Sequence, residues 1–348
     1  MRKVVVAGVG QTAFGKFTDR SVRSLAEEAL QQALENASID ASRIGVVYFA
    51  NALSGLITGQ ETIRGQVALR HTPLMGTPIL NIDNACASGS SAFNLAWLSV
   101  ASGQVDVALA LGAEKLTHED KAVTFGAFAS GVDVEERQRM MRETPGNRSL
   151  FMDIYAARTR KYMAASGATA ADFAAVCMKS RRAASFSPWA QFKDELSESD
   201  ILNARVISAP LTLPMCSPIA DGAAAAIVVS ESVARQLGCA NVEVRASKIV
   251  SATRMARIRS PPSARVSRPM TRPAWVPRIF MWLRSMMHPR RRRSCSMSGL
   301  VSRRQIRVLS CSGRARRPLA VGCRSILVGA FSAEVTPLAR QASPKSLN

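Results

Sequence analysis

The stretch Asn84-Ala85-Cys86-Ala87-Ser88-Gly89-Ser90-Ser91-Ala92 separates an apolar run from a helical repeat. Upstream, Pro78-Ile79-Leu80-Asn81-Ile82 reads as a short buried strand. Downstream, Ala92, Phe93, Ala96, Trp97, Val100 and Ala101 recur at the spacing of one helix face. Cys86 is thereby placed at a strand-to-helix turn. There the free amide hydrogens and the positive end of the helix dipole favour a thiolate, the nucleophilic form of cysteine. Small residues on both sides leave room for a substrate. Two readings compete at this position: an activated nucleophile, and a buried cysteine packed as a small hydrophobe.

Working outward, residues 4–9 form an apolar strand ending in Gly8-Val9-Gly10-Gln11-Thr12. The glycine pair has the look of a dinucleotide loop, but Phe14-Gly15-Lys16-Phe17 stand where the helix should open, so a nucleotide site is not expected. From Ser21 a helix follows, with Val22, Leu25, Ala29, Leu30, Ala33 and Leu34 on one face. Residues 44–52 predict a strand, 60–70 a helix, 71–77 a loop and 105–111 another strand. Strands alternating with helices predict a mostly parallel α/β sheet covered on both faces, with ligands at the carboxyl ends of strands, where Cys86 lies.

Residues 117–205 change character and read as a helical lobe inserted over the sheet, with the clearest helices at 150–163 and 169–184. His118 and Glu119 at its start read as a solvated loop. After Pro210-Leu211-Thr212 and Cys216-Ser217-Pro218, the segment Asp221-Gly222-Ala223-Ala224-Ala225-Ala226-Ile227-Val228-Val229 reads as a small-residue strand threaded back into the core. A short helix at 231–237 and a strand at 242–249 follow.

Seven cysteines without CxxC pairs suggest neither a disulfide framework nor a zinc site, and a reducing cytoplasm is expected. No run is long and apolar enough to span a bilayer. A buried first strand explains 4–10 better than a signal segment. The net charge of +21 is unevenly placed: 25 Lys and Arg face 24 Asp and Glu over 1–252, whereas 20 Arg and one Lys face the single acid Glu334 over 253–348. A balanced domain is joined to something compositionally foreign.

Taken together, Asn84-Ala85-Cys86-Ala87-Ser88-Gly89-Ser90, Gly8-Val9-Gly10-Gln11-Thr12, Pro210-Leu211-Thr212 with Cys216-Ser217-Pro218, and Asp221-Gly222-Ala223-Ala224-Ala225 resemble the thiolase family. Within it they are most similar to the sterol-carrier-protein-X, or lipid-transfer-protein, branch. The resemblance covers about residues 3–252. It implies the thiolase fold, with two similar βαβαβαββ halves and a loop domain inserted in the first. The chain then divides into 1–116 and 206–241 as the first half, 117–205 as the inserted loop domain, 242–252 as the first strand of the second half, and 253–348 as an out-of-frame or disordered Arg-rich tail. The resemblance implies that Cys86 accepts an acyl group from acyl-CoA and passes it to coenzyme A or an acetyl-CoA enolate, that Phe151 and Met152 lie where coenzyme A approaches, and that the intact enzyme is a dimer or tetramer. No metal and no resident cofactor are implied; coenzyme A thioesters are the substrates. A β-ketoacyl synthase shares this fold, but its nucleophile segment differs.

The family's second half supplies His-Asp and Gly-His-Pro segments, and neither appears in frame. Taking the last base of each codon with the first two of the next, residues 327–337 permit Ser-Gly-Gly-Leu-Leu-Ser-Arg-Gly-His-Pro, with suitable degenerate codons at every position. The same shift over 270–277 permits Asp-Ala-Ala-Gly-Val-Gly-Pro, and over 285–288 it permits His followed by a forced Asp and a forced Ala. A frame slip between about 251 and 261 is therefore expected. The rival reading is a non-enzymatic protein with a basic arm, in which Arg290-Arg291-Arg292-Arg293 and its neighbours bind nucleic acid through phosphates, regardless of sequence.

Overall fold

The computed structural model describes residues 1–143, 150–239 and 242–251; the expectations for 253–348 lie outside the described residues. In chain order come β1 (Val4–Gln11), α1 (Val22–Ala37), β2 (Val46–Ala50), α2 (Ser54–Thr58), α3 (Arg64–Leu69), β3 (Ile79–Ile82), α4 (Ser88–Ser102) and β4 (Val107–Glu114). The excursion that follows holds α5 (Lys121–Ala129), α6 (Val134–Glu143), α7 (Leu150–Ser166), α8 (Ala170–Ser185), α9 (Glu198–Leu202) and the small hairpin of β5 (Val206–Ser208) and β6 (Leu211–Thr212). The chain then returns as β7 (Gly222–Ser230), α10 (Glu231–Leu237) and β8 (Val242–Glu243).

The main sheet runs β3-β2-β4-β7-β1-β8. Setting the excursion and the short α2 aside, β1-α1-β2-α3-β3-α4-β4-β7 is the expected βαβαβαββ half. The sheet is mixed, which corrects the mostly parallel expectation: β2 pairs parallel with β3 and β4, but β4–β7, β7–β1 and β1–β8 are antiparallel. Helical crossovers join β2, β3 and β4 and keep them parallel. β7 instead comes back from the excursion and enters reversed between β4 and β1.

Period-two alternation divides each strand between two cores. Val5, Val47, Phe49, Leu109, Leu111, Ile227 and Val229 face α1, whose stripe Leu25, Ala26, Ala29, Leu30, Ala33 and Ala37 is buried against them. Val4, Val46, Tyr48, Ala108, Ala110 and Val228 face α4 through Ala92, Ala96 and Val100. A Cβ on Gly8 would lie 2.6 Å from the Ala33 carbonyl oxygen, and one on Gly10 would collide with that of Ala29. The opening Gly-Val-Gly therefore serves close packing of β1 on α1. This also explains why no phosphate-binding turn follows it.

The burial of one strand and the bounds of two other elements differ from expectation. β3 is the edge strand of the sheet among the described residues, with Leu80 45% exposed, because no further described strand pairs with it. The helix expected over 60–70 starts only at Arg64, since Ile63 has φ +44°, and a separate turn, α2, precedes it. That turn is capped from afar: the Glu114 carboxylate accepts from the amides of Ala52 (2.9 Å), Leu53 (3.2 Å) and Ser54 (2.7 Å), a partnership local sequence does not reveal. The strand expected over 242–249 keeps only Val242 and Glu243 in the ladder, opposite Val6 and Val5. The chain then leaves the sheet edge across α4, where Trp97 Nε1 donates to the Val244 carbonyl (3.2 Å) and Asn94 to Ser247 Oγ (2.9 Å).

Asp221, fully buried at the foot of β7, ties three segments together. It accepts from Lys115 Nζ (2.8 Å), from the amides of Leu116 and Thr117 (both 2.8 Å) and from that of Phe17 (3.1 Å), with the Thr117 hydroxyl also bonded to it. Burial pushes this carboxyl up, but its hydrogen bonds from Lys115, Thr117 and Phe17 outweigh burial and hold it below the usual carboxylate value. Removing one member of such a pair leaves a buried charge uncompensated, so Asp221→Ala is expected to cost about 3–5 kcal/mol in urea unfolding. Because the folded-state value is lowered, this contribution is fully present above the unfolded carboxylate pKa of about 3.9 and is lost as pH falls through the folded value. Unfolding curves should therefore show the stability gap between parent and variant narrowing on acidification below about pH 4. A gap that persists unchanged would contradict this role.

Candidate active site

Sheet and helix hold Cys86 from opposite sides. β3 ends at Ile82, α4 begins at Ser88, and the five residues between reverse the chain with Ala85 in the left-handed region at φ +46°. An L-residue rarely adopts that conformation, and it persists only where the surroundings over-determine it. Here they do. Ser88 Oγ accepts from the Asn84 amide (2.8 Å) and donates to the Ala85 carbonyl (2.7 Å). Asn84 Nδ2 donates to Ser91 Oγ (2.8 Å), and Asp83 Oδ1 accepts from the Ala85 amide (3.0 Å). Ser88 and Ser91 are themselves buried, so the loop is anchored to the rigid start of α4.

Cys86 is exposed, which removes the buried-hydrophobe reading. It opens on a cavity of about 180 Å³ lined by Gly89, Ser90 and Phe93 of α4 and by Gly112 and Ala224 of the sheet. Gly89 and Ser90, which line the same cavity as Cys86, belong to the first helical turn, where the amides have no intrahelical acceptor. A Cβ on Gly89 would meet nothing within 4 Å. The glycine is thus not demanded by packing; its missing side chain keeps the cavity open. The small residues of β7 do the same from the sheet side.

The other expected residues lie elsewhere. Phe151 is half-buried on α7, its ring edge-on to Phe128 at 6.4 Å between centroids, and Met152 is half-buried beside it; neither lines the Cys86 cavity. His118 is exposed, with Nδ1 accepting from the Asp120 amide (3.0 Å), as a solvated loop requires. Neither it nor His71 lines the cavity. Among the described residues, no group of three or more His, Cys, Asp or Glu is placed to hold a metal, and no helix is long and apolar enough to cross a membrane. The Ser88 and Ser91 anchors went unread in the sequence. Their signal was present as serines one and four residues into the helix, where they can reach back to a preceding turn.

Residues 4–203 match the family described as thiolase, N-terminal domain. The chain belongs to the thiolase family. It is 37% identical over 236 residues to an acetyl-CoA acetyltransferase of Methanocaldococcus jannaschii, covering 68% of this chain and 58% of that one. It is 32% identical over 254 residues to sterol carrier protein 2 of Bos taurus, covering 72% of this chain and 46% of that one. The chain thus spans about half the length of the thiolase relatives it matches. Human mitochondrial 3-ketoacyl-CoA thiolase, solved in complex with CoA, shares the fold with a TM-score of 0.52 at 19% identity, over 69% of this chain and 68% of that one.

Cys86 stands apart from the other described cysteines. Cys177 Sγ lies 3.1 Å from the Pro214 carbonyl, Cys216 Sγ 3.4 Å from that of Thr212 and Cys239 Sγ 3.6 Å from that of Ala234. Burial pushes the thiols of Cys216 and Cys239 up. Brief treatment of the native protein with iodoacetamide should therefore modify Cys86 at least tenfold faster than Cys216 or Cys239, read by peptide mass spectrometry. Equal rates would mean that the cavity does not present the sulfur as described.

Proposed function

We propose that this chain is the first half of a thiolase-type acyltransferase, with Cys86 as its acyl-accepting nucleophile. In thiolysis the Cys86 thiolate attacks the keto carbon of a 3-ketoacyl-CoA. The bond between the α and β carbons breaks, the electron pair leaves on acetyl-CoA, which takes up a proton, and the acyl thioester on Cys86 is passed to the thiol of coenzyme A. Run in the other direction with acetyl-CoA, the same steps join two acyl groups. Each addition places negative charge on a thioester or keto oxygen, for which the first-turn amides of Gly89 and Ser90 are the oxyanion donors this half supplies. The observation that carries the reading is the exposed Cys86, held on a left-handed turn beside those amides at the mouth of a small cavity.

Coenzyme A thioesters are the substrates and no cofactor is resident. Phe151 and Met152 on α7 border the approach of coenzyme A. The intact enzyme is a cytoplasmic homodimer or tetramer acting in lipid or sterol side-chain metabolism. The sequence of 253–348 supports a frame slip rather than a selected basic arm, because the alternative frame permits the family's His-Asp and Gly-His-Pro segments in the right order. The chain as written then lacks the histidine that activates Cys86 and the domain that covers α4, and it is expected to be nearly inactive.

Two measurements test this. Resequencing the gene across the codons for 245–265 should reveal a missing or extra base, or a nucleotide sequence compatible with the alternative frame. Restoring that frame should raise 3-ketoacyl-CoA thiolysis by at least a thousandfold over the chain as written, and Cys86→Ala in the restored protein should abolish the gain. A chain that turns over equally well as written, or a restored protein indifferent to Cys86→Ala, would overturn the proposal. Salt-sensitive nucleic-acid binding that vanishes on deleting 253–348 is the observation that would favour the rival, non-enzymatic reading.

A further inference from the structure

A second cavity, of about 200 Å³, lies away from Cys86, between the first turn of α1 and the α2–α3 region. Arg20, Arg23, Arg64 and Lys115 line it, together with Ser21 and Thr58. Two of these cations are neutralised: Arg20 by Glu28 (2.7 Å) and Lys115 by Asp221 (2.8 Å). The nearby Glu114 carboxylate faces the amides of residues 52–54. Among the described residues, the other two cations have no carboxylate within ion-pair distance. Arg64 donates only to the neutral oxygens of Asn51 (2.8 Å) and Ala52 (3.0 Å). Arg23 makes no hydrogen bond or ion pair among the described residues, and its Nε is buried without an acceptor.

The placement of this charge is unfavourable for the protein alone. Ser21 caps the sixteen-residue α1, and Arg23 sits in its first turn, where the helix presents its positive pole and unsatisfied amides. That turn contains no acidic residue. Cations there are repelled by the dipole, and a half-buried guanidinium with an unpaired Nε adds a desolvation cost. An anion in the cavity would offset the like-charge repulsion at the helix pole and supply a counter-charge to the guanidinium, although the enclosed Nε itself is out of its reach. Two uncompensated guanidinium forks suit the oxygens of a phosphate, which each can engage with paired donors. Val67 and Ala68 give the cavity one small apolar wall.

We propose that this cavity binds the phosphate group of a small molecule, with Arg23 and Arg64 as its ligands. The site is separate from Cys86 and does not depend on the acyl-transfer reading. Because the Arg-rich segment 253–348 also attracts anions, the test must report on individual arginines. The full chain is treated with phenylglyoxal, an arginine-specific reagent, with and without inorganic phosphate or glycerol 3-phosphate, and modification is mapped by peptide mass spectrometry. Saturating phosphate is expected to slow modification of Arg23 and Arg64 at least tenfold while leaving the exposed Arg182 unchanged. Protection by inorganic phosphate alone identifies free phosphate as the ligand; protection by both compounds identifies the phosphate group of an ester. Absence of protection at Arg23 and Arg64, or equal protection at Arg182, overturns the proposal. As a second arm, Arg64→Gln should weaken protection of Arg23 at least tenfold; protection that survives the substitution also overturns it.

Discussion

The position of β7 depends on one buried carboxylate. Asp221 receives the amide of Phe17 from the loop after β1, the amides of Leu116 and Thr117 from the end of β4, and the ammonium of Lys115. Its own backbone is bonded to Gly15 in both directions (2.7 and 3.2 Å). Three segments distant in sequence thus meet on one residue. The meeting point sets where the chain leaves the sheet for the helical excursion and where it re-enters. With that point fixed, β7 can only run reversed between β4 and β1, and its alanines are brought against the start of α4. The carboxylate is therefore upstream of the site in physical terms, although it touches none of the reacting groups.

What β7 contributes to the site is the absence of bulk. Ala224 pairs with Gly112 on one side and Gln11 on the other, and the first two of these rows open into the space beside Cys86. The opposite wall is α4, which holds the cysteine turn through Ser88 and Ser91. The turn's strain at Ala85 is balanced by these hydrogen bonds, so the sulfur is presented by a rigid scaffold rather than by a mobile loop. α4 thus has three roles: it anchors the turn, it supplies first-turn amides, and its apolar stripe forms the core of one sheet face.

Much of this was legible in the sequence. The strand-turn-helix at Cys86, the amphipathic α1, the helical excursion and the small-residue strand after Asp221 all follow from periodicity and from where glycine and alanine cluster. What was not legible was set by distant partners. The reversal of β7 depends on the Asp221 contacts. The short α2 exists because Glu114, sixty residues away from Ser54, caps it. The exposure of β3 reflects its place at the sheet edge, which its apolar composition conceals. The sequence argues against a ligand loop at the opening glycines, but their actual role, close packing against Ala29 and Ala33 of α1, depends on a partner that local sequence does not name. At the site, Cys86 was read correctly as a residue at a turn, whereas its anchors, Ser88 and Ser91, looked like generic small residues.

The central claim is that Cys86 carries the acyl group. The most direct measurement is to incubate the frame-restored protein with acetyl-CoA, quench in acid and map the modified peptide by mass spectrometry. The account predicts a single acetyl group on the peptide containing Cys86, removed when free coenzyme A is added before the quench. Acetylation at another residue, or turnover with Cys86 never modified, would contradict it.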